Sequence, residues 1–162
     1  MPILMEWVEI TPKVEGESTV EGFAKHSELK SCTFSTARLV GHARGTSTRE
    51  GGVADFSDIQ CSMLTDSTTP KLFENAVTGK HDAKLNIKFV RTGAGQPAMY
   101  FQIAVQGAGL GNLALHSPEG ERPVVNFGIT YDTISLKYDK IGDDFSGSPG
   151  EWGWNLATNK KL

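Results

Sequence analysis

The sequence lacks the features that direct a protein to a membrane or to nucleic acid. Its longest uncharged apolar stretch is only a few residues, and Glu6 interrupts the N-terminus too early for a signal peptide. It has no basic run, and 16 Lys and Arg against 19 Asp and Glu leave a net charge of −3. We therefore predict no nucleic-acid partner and no membrane insertion, and expect synthesis in the cytoplasm without classical export.

Cysteine is scarce, and the residues of catalytic centres are scattered. Cys32 and Cys61 are not spaced as a metal or redox pair, and each is in phase with apolar neighbours. We expect two buried free thiols, since a disulfide is improbable here. No nucleophile with a base, no carboxylate pair and no histidine pair has meaningful spacing. The sequence thus predicts no enzyme, no cofactor and no metal site.

Two glycine-containing stretches are reminiscent of nucleotide-binding loops, but neither fits. A phosphate loop ending at Gly79 and Lys80 would need glycine where Glu74 stands and Ser or Thr where His81 stands. The stretch GAGLGN, from Gly107 to Asn112, lacks the third glycine and a following helix. We interpret it as a transition from a strand to a loop.

One short helix is predicted after Asp66. Thr69 is suited to cap its first turn, Pro70 suits the first helical position, and Gly79 can adopt the left-handed conformation that ends a helix. The apolar residues form one stripe that should pack against a larger element: Leu72, Phe73, Ala76 and Val77.

Elsewhere the apolar residues alternate with polar ones, which is typical of strands. Leu85 to Phe89 and Met99 to Val105 predict an antiparallel hairpin, and a phase slip at Asp132 and Thr133 predicts a β-bulge. Further strands are predicted over residues 3–10, 29–40, 56–64 and 152–157. Many short strands, one helix and 18 glycines indicate a mainly β protein, a small antiparallel β-barrel with a flanking α-helix. At 162 residues, one domain spanning 1–162 is expected.

Two polar stretches fall outside this pattern. Residues 41–52 should form a long exposed loop, with Gly41, His42, Arg44, Arg49 and Glu50 as candidate subunit contacts. Residues 139–151 should form a flexible connection to a C-terminal strand, in which we expect Trp154 to be anchored in the core.

The order of several motifs resembles the haemolysin-coregulated protein (Hcp) family of the bacterial type VI secretion system. The resemblance covers essentially the whole chain, and its most specific part is WGWNLATN near the C-terminus. The earlier parts are VEGES, HSEL, CTFS, DFSDIQCSMLTDSTTPKL and the helix end GKH. The chain departs from the family pattern in two places: the segment before HSEL is shorter than usual, and Val124 with Val125 replaces a more polar run.

The resemblance implies a barrel of two sheets, a hexameric ring and rings stacked into a tube that a contractile sheath propels outward. It implies sheath and spike proteins as partners, effector proteins in the lumen, and secretion from the bacterial cytoplasm without a signal peptide. It also implies that the extended loop contacts other subunits. Two alternatives remain open at this point: a phage-tail-like tube protein, and a monomeric intracellular β-barrel that binds a ligand or acts as a small hydrolase.

Overall fold

A computed structural model describes residues 1–41, 51–93, 95–139 and 150–162, and it is mainly β with one helix. No helix among these residues has the length and apolar character needed to cross a membrane. The strands are β1 (Ile3–Glu9), β2 (Ser27–Thr33), β3 (Thr36–Val40), β4 (Gly51–Phe56), β5 (Ile59–Leu64), β6 (Ala83–Arg91), β7 (Ala98–His116), β8 (Val124–Thr130), β9 (Thr133–Tyr138), β10 (Gly150–Asn155) and β11 (Lys160–Lys161), and the helix is α1 (Thr69–Thr78).

The main sheet closes on itself as an antiparallel barrel. Its strands follow the order β7, β6, β1, β2, β5 and β8, and β8 pairs back onto β7. A second branch, β9, β10 and β11, extends outward from β7, while β3 and β4 form a separate two-stranded sheet. The predicted mainly β barrel with one helix is confirmed, and the predicted hairpin is the β6–β7 pair, with Leu85 opposite Val105.

The alternating apolar residues point into the barrel and fill it. Leu85 and Ile87 of β6 and Phe127 and Ile129 of β8 have no exposed surface. Leu72 of α1 is equally buried in this core, and Ala76 packs against it. The other half of the predicted helical stripe does not pack, because Phe73 is 38% and Val77 is 85% exposed.

The strand β7 is continuous over 19 residues, so the prediction of a strand-to-loop transition in GAGLGN was wrong. Gly107 lies within it at φ 62°, and a Cβ there would collide with the side chain of Asp132. The backbone N–H of Asp132 donates to the carbonyl oxygen of Gln106 at 3.0 Å, between the end of β8 and the start of β9. The apolar alternation therefore does change phase here, as predicted. The chain achieves this by interrupting the strand between β8 and β9, opposite Gly107 of β7. The predicted bulge at this point was wrong.

The start of α1 differs from the prediction by one residue. Thr68 is the N-cap, Thr69 is the first helical residue, and Pro70 follows it in the first turn. The Thr69 hydroxyl oxygen accepts a hydrogen bond from the backbone N–H of Asp66 at 3.1 Å. It therefore stabilises the turn before the helix and does not cap an N–H of the helix. Gly79 ends the helix at φ 68°, and its N–H donates to the carbonyl oxygen of Asn75. The capping role predicted for Thr69 was thus wrong, whereas Gly79 ends the helix as expected.

Candidate functional site: an exposed two-stranded arm and its root

The pair β3–β4 forms an arm that continues the barrel strands β2 and β5. At its root, the backbone N–H of Ser57 donates to the carbonyl oxygen of Ser35 at 2.9 Å, and the N–H of Ser35 donates to Ser57 Oγ at 2.8 Å. The hydrogen-bonded pairing therefore passes from β2 and β5 to β3 and β4 without a loop between them. The sequence-based interpretation missed this arm, because it read residues 29–40 and 56–64 as single strands and placed Gly51 and Gly52 in a loop.

The arm carries apolar side chains that nothing in the described chain covers. All residues of β3 are exposed, and Leu39 is 85% exposed. Val53 on β4 is 66% exposed. Arg38 and Ala54 are paired across the arm, and Leu39 and Val53 are the next residues along their strands, on the side away from the barrel. A two-stranded ribbon without a buried face is marginally stable by itself, and a clustered exposed apolar surface commonly marks an interaction site. We call Leu39, Val40 and Val53 the arm patch.

Arg38 links the two strands of the arm. Its Nε donates to the carbonyl oxygen of Gly52 at 2.7 Å, and its Nη2 lies 3.5 Å from that of Gly51. A Cβ on Gly51 would come within 2.6 Å of the Arg38 guanidinium, so glycine allows the side chain to lie across the strand. This contact fixes the arm's shape up to Gly41, which is exposed and directly follows β3. Among the other predicted contact residues, His42, Arg44, Arg49 and Glu50 lie outside the described residues.

An aromatic stack holds the root of the arm against the C-terminal branch. Phe56 at the end of β4 stacks on Trp152 of β10, with ring centroids 6.3 Å apart and planes 22° apart. Trp152 in turn stacks on Trp154, at 6.2 Å and 15°. We call these three rings the root stack. The root stack therefore joins β4 at the base of the arm to β10 of the C-terminal branch.

Trp154 is half-buried and packs against the core, so the prediction that it is anchored in the core holds only in part. Its indole Nε1 is buried and has no hydrogen-bond partner among the described residues. A buried N–H without an acceptor costs about 1–3 kcal/mol. Trp154 thus contributes packing at the expense of an unsatisfied donor.

A buried tyrosine supports the same root from the barrel side. The Tyr131 hydroxyl donates to the carbonyl oxygen of Ser57 at 2.8 Å. Burial raises the pKa of Tyr131 to about 12, and the nearby carboxylate of Asp58 contributes to the rise. The phenol is therefore neutral, and remains a donor, throughout the physiological pH range.

A charged cluster lies on the side of the barrel formed by β1 and β6. Lys88 Nζ is 2.6 Å from Glu6 Oε2 and 3.2 Å from His26 Nε2, while His26 Nδ1 lies 3.0 Å from the carbonyl oxygen of Ala24. Partial burial acts to raise the pKa of Glu6, but the hydrogen bond and charge of Lys88 outweigh it and hold that pKa below its ordinary value. Glu6 is therefore ionised at neutral pH and paired with Lys88.

The concave surfaces offer space but no assembled chemistry. One is an open groove of about 510 Å³ beside β9 and β10, lined by residues that include Gln102, Ser135, Lys137, Glu151 and Trp152. Within the described ranges, no three His, Cys, Asp or Glu side chains come together as a metal site. The arm, rather than a pocket, is therefore the candidate binding surface among the described residues.

The residues of the arm and root could have been found in part from the sequence. Leu39, Val40 and Val53 are apolar and β-branched or bulky residues beside a glycine-rich stretch, which indicates strands that extend into it. The contact between Phe56 and Trp152 carries no such signal, since it joins residues that are distant along the chain. Local periodicity therefore could predict the strands of the arm, but not its attachment.

Comparison with known proteins identifies the family. A family model described as "Type VI secretion system effector, Hcp" matches residues 6–140. No curated protein matches the sequence significantly. Among solved structures, one described as a type six secretion system protein has a TM-score of 0.88 at 20% identity, covering 99% of each chain.

Two further solved structures share the fold at lower similarity. Hcp1 from Salmonella typhimurium has a TM-score of 0.74 at 14% identity, covering 99% of this chain and 98% of that one. A type VI secretion system effector from Yersinia pestis has a TM-score of 0.73 at 14% identity, covering 94% and 98%. The family model and the shared barrel together establish that this chain belongs to the Hcp family of type VI secretion proteins.

Proposed function

We propose that this chain is the structural subunit of a type VI secretion tube. Six copies close into a ring, and rings stack into the inner tube that the apparatus expels. The arm is the observation that carries this proposal, because its apolar patch is exposed in the part of the chain that the structure describes, and every residue of β3 is exposed. A second copy of the chain is the partner that a tube subunit meets within its ring and in the adjacent rings.

The arm is suited to a head-to-tail contact between copies. Each copy has one arm and one barrel, so an arm that binds the barrel of the next copy, without reciprocal exchange, makes such a contact. Such contacts produce a ring when the rotation between copies closes. The number six is what the family resemblance implies.

The energy available from the arm patch is sufficient to influence assembly. Burial of an exposed leucine or valine side chain stabilises a contact by about 1.5–3 kcal/mol. Leu39 and Val53 are both largely exposed, so one arm contributes on the order of 3–5 kcal/mol before the costs of association are subtracted. A ring repeats this contribution at every interface.

The partners beyond the ring follow from the same proposal. A contractile sheath surrounds the tube, a spike caps it, and effector proteins travel in its lumen. The chain is made in the bacterial cytoplasm and leaves the cell through the apparatus. Its role is structural and carrier-like rather than catalytic.

Light scattering coupled to size exclusion tests the ring. Purified protein at micromolar concentration is expected to elute at the mass of six copies of the 17.5 kDa chain, and negative-stain microscopy should show rings. A monomer at every concentration would contradict the proposal and favour a binding module. Rings that fail to assemble with type VI sheath and spike proteins would favour a phage-tail-like tube.

A matched pair of variants tests the arm itself. Leu39 and Val77 are both 85% exposed, but Leu39 lies on the arm and Val77 on α1. Leu39→Lys is expected to shift the protein from rings toward monomers, whereas Val77→Lys should leave the rings intact. Neither change should reduce the barrel's stability by more than about 0.5 kcal/mol, as is usual for exposed positions. Intact rings in Leu39→Lys would show that the arm patch is not an assembly contact.

A further inference from the structure

The two cysteines, 29 positions apart in sequence, face each other in the fold. Cys32 on β2 and Cys61 on β5 are directly opposite residues in the antiparallel ladder. Side chains of opposite residues in such a pair lie on the same face of the sheet, with Cβ atoms about 4.5–5.5 Å apart. Both cysteines are free thiols in the structure. The fold thus brings together a pair that the sequence spacing does not reveal.

A register shift creates this arrangement. Leu29 of β2 is buried opposite Met63, and strict alternation would turn Ser31 inward and Cys32 outward. The ladder instead shifts between Leu29 and Ser31, so Cys32 turns inward. Ser31 then lies on the other face, where its Oγ is 2.6 Å from Ser62 Oγ.

The two thiols differ in exposure and acidity. Cys61 is 3% exposed and belongs to the core, whereas Cys32 is half-buried at the edge of the core. Interaction with the neighbouring Cys61 thiol lowers the pKa of Cys32 despite its partial burial. Interaction with Cys32, together with burial, raises the pKa of Cys61. Cys32 is therefore the accessible, more readily ionised partner.

We propose that Cys32 and Cys61 form an oxidisable modification site, which reacts with a small-molecule disulfide such as oxidised glutathione to give an intramolecular cross-strand disulfide. In the first step the Cys32 thiolate attacks one sulfur of oxidised glutathione. The sulfur–sulfur bond of glutathione breaks, a mixed disulfide forms on Cys32, and one glutathione thiolate leaves with the proton that Cys32 lost.

In the second step Cys61 loses its proton and its sulfur attacks Cys32 Sγ. The bond between Cys32 and glutathione breaks, the second glutathione thiolate leaves and takes the proton from Cys61, and the Cys32–Cys61 bond forms. The protein loses two electrons and two protons, and one oxidised glutathione becomes two reduced ones. No other co-reactant is needed.

The disulfide would fasten the strands from which the arm extends. Residues 33–60, which include both strands of the arm, lie between the two cysteines. Closing a loop of about 30 residues in the unfolded chain is expected to raise Tm by about 5–15 °C. The site is thus placed to stabilise the root of the arm once the chain meets an oxidising environment.

The test uses the native full-length chain and oxidised glutathione as the probe. Reduced protein is incubated with excess oxidised glutathione, quenched with a maleimide and analysed by intact mass and peptide mapping. The expected product has lost two hydrogens, carries no maleimide, and yields a peptide that links Cys32 to Cys61. Its circular dichroism should match that of the reduced protein, and its Tm should rise as stated.

Two single variants serve as controls. Cys61→Ala should stop at the mixed disulfide on Cys32, and Cys32→Ser should leave the buried Cys61 unmodified over the same time. The proposal is overturned if the native chain keeps two free thiols, ends as a glutathione adduct, links one chain to another, or forms the bond only in denaturant. It does not depend on the tube, so a monomeric protein that forms the bond would still support it.

Discussion

Replacement of Trp152 by alanine should destabilise the fold more than the same change at Trp154. Trp152 is the middle ring of the root stack and contacts Phe56 on one side and Trp154 on the other. Trp154 is a terminal ring with one stacking neighbour among the described aromatics. Both side chains are half-buried.

The magnitudes follow from these contacts. Each stacked pair contributes about 0.5–1.5 kcal/mol beyond area burial, and loss of a half-buried indole costs about 1–2 kcal/mol more. Trp152→Ala, which loses two stacked pairs, should therefore lower the free energy of unfolding by about 3 kcal/mol. Trp154→Ala loses one pair but also removes an unsatisfied buried N–H that costs about 1–3 kcal/mol, so its net cost should be about 1 kcal/mol.

Urea denaturation followed by circular dichroism measures both values. The experiment should be made in the Leu39→Lys background, because assembly would otherwise add to the apparent stability. A double-mutant cycle of Phe56→Ala with Trp152→Ala should give a coupling energy of about 1 kcal/mol. In the native background, Trp152→Ala should also weaken ring formation, since it frees the root of the arm.

An equal or larger cost for Trp154→Ala would refute this reasoning. It would mean that the indole of Trp154 has a partner, such as a bound water, or that packing against the core outweighs the stack. A coupling energy near zero between Phe56 and Trp152 would show that the stacked geometry contributes nothing to the arm's attachment.

Three other predictions concern separate parts of the chain. Gly16→Ala should lower the free energy of unfolding by about 2 kcal/mol or more in a thermal melt, because a Cβ there would overlap the backbone that pairs with it; unchanged stability would mean that this segment shifts freely. The pKa of Glu6 is lowered in the folded state, so its ion pair with Lys88 stabilises the fold fully above the unfolded pKa of about 4.5. This stabilisation is lost as the pH falls through the lower folded pKa. Glu6→Gln should therefore flatten the acid dependence of Tm, and an unchanged profile would count against the pair. Arg44→Glu with Arg49→Glu should leave the circular dichroism of the barrel unchanged and reduce stacked tubes in electron micrographs, whereas unchanged tubes would assign that stretch to a solvated connection.

The sequence predicted well those elements whose signal is local. The alternation in Leu85 to Phe89 and Met99 to Val105 predicted the β6–β7 hairpin, and Pro70 with Gly79 predicted α1. Here the side chains that determine the structure lie within a few residues of one another. The helix cap was misassigned because Asp66, Thr68 and Thr69 all offer oxygen atoms within one turn, and only the folded geometry determines which N–H each accepts.

The sequence could not predict features that depend on register between distant strands. The phase slip near Asp132 was visible, but its cause lies in Gly107 on the partner strand. Cys32 and Cys61 face each other only because the β2–β5 ladder shifts by one residue. The arm was missed as a separate element because β3 was read as the end of a strand over residues 29–40, and Gly51 and Gly52 of β4 were placed in the loop over residues 41–52.

The long strand β7 makes the barrel and the outer branch a single cooperative folding unit. Its first half pairs with β9 and its second half with β8, while β6 runs along its other edge. Neither part can separate from the other without breaking the strand that both share, so opening one exposes hydrogen bonds of the other. We expect the amides near the middle of β7 to exchange with solvent last, through global unfolding alone. A chain built in this way responds to strain as a whole, because its described strands leave no joint at which one part could unfold while the other holds.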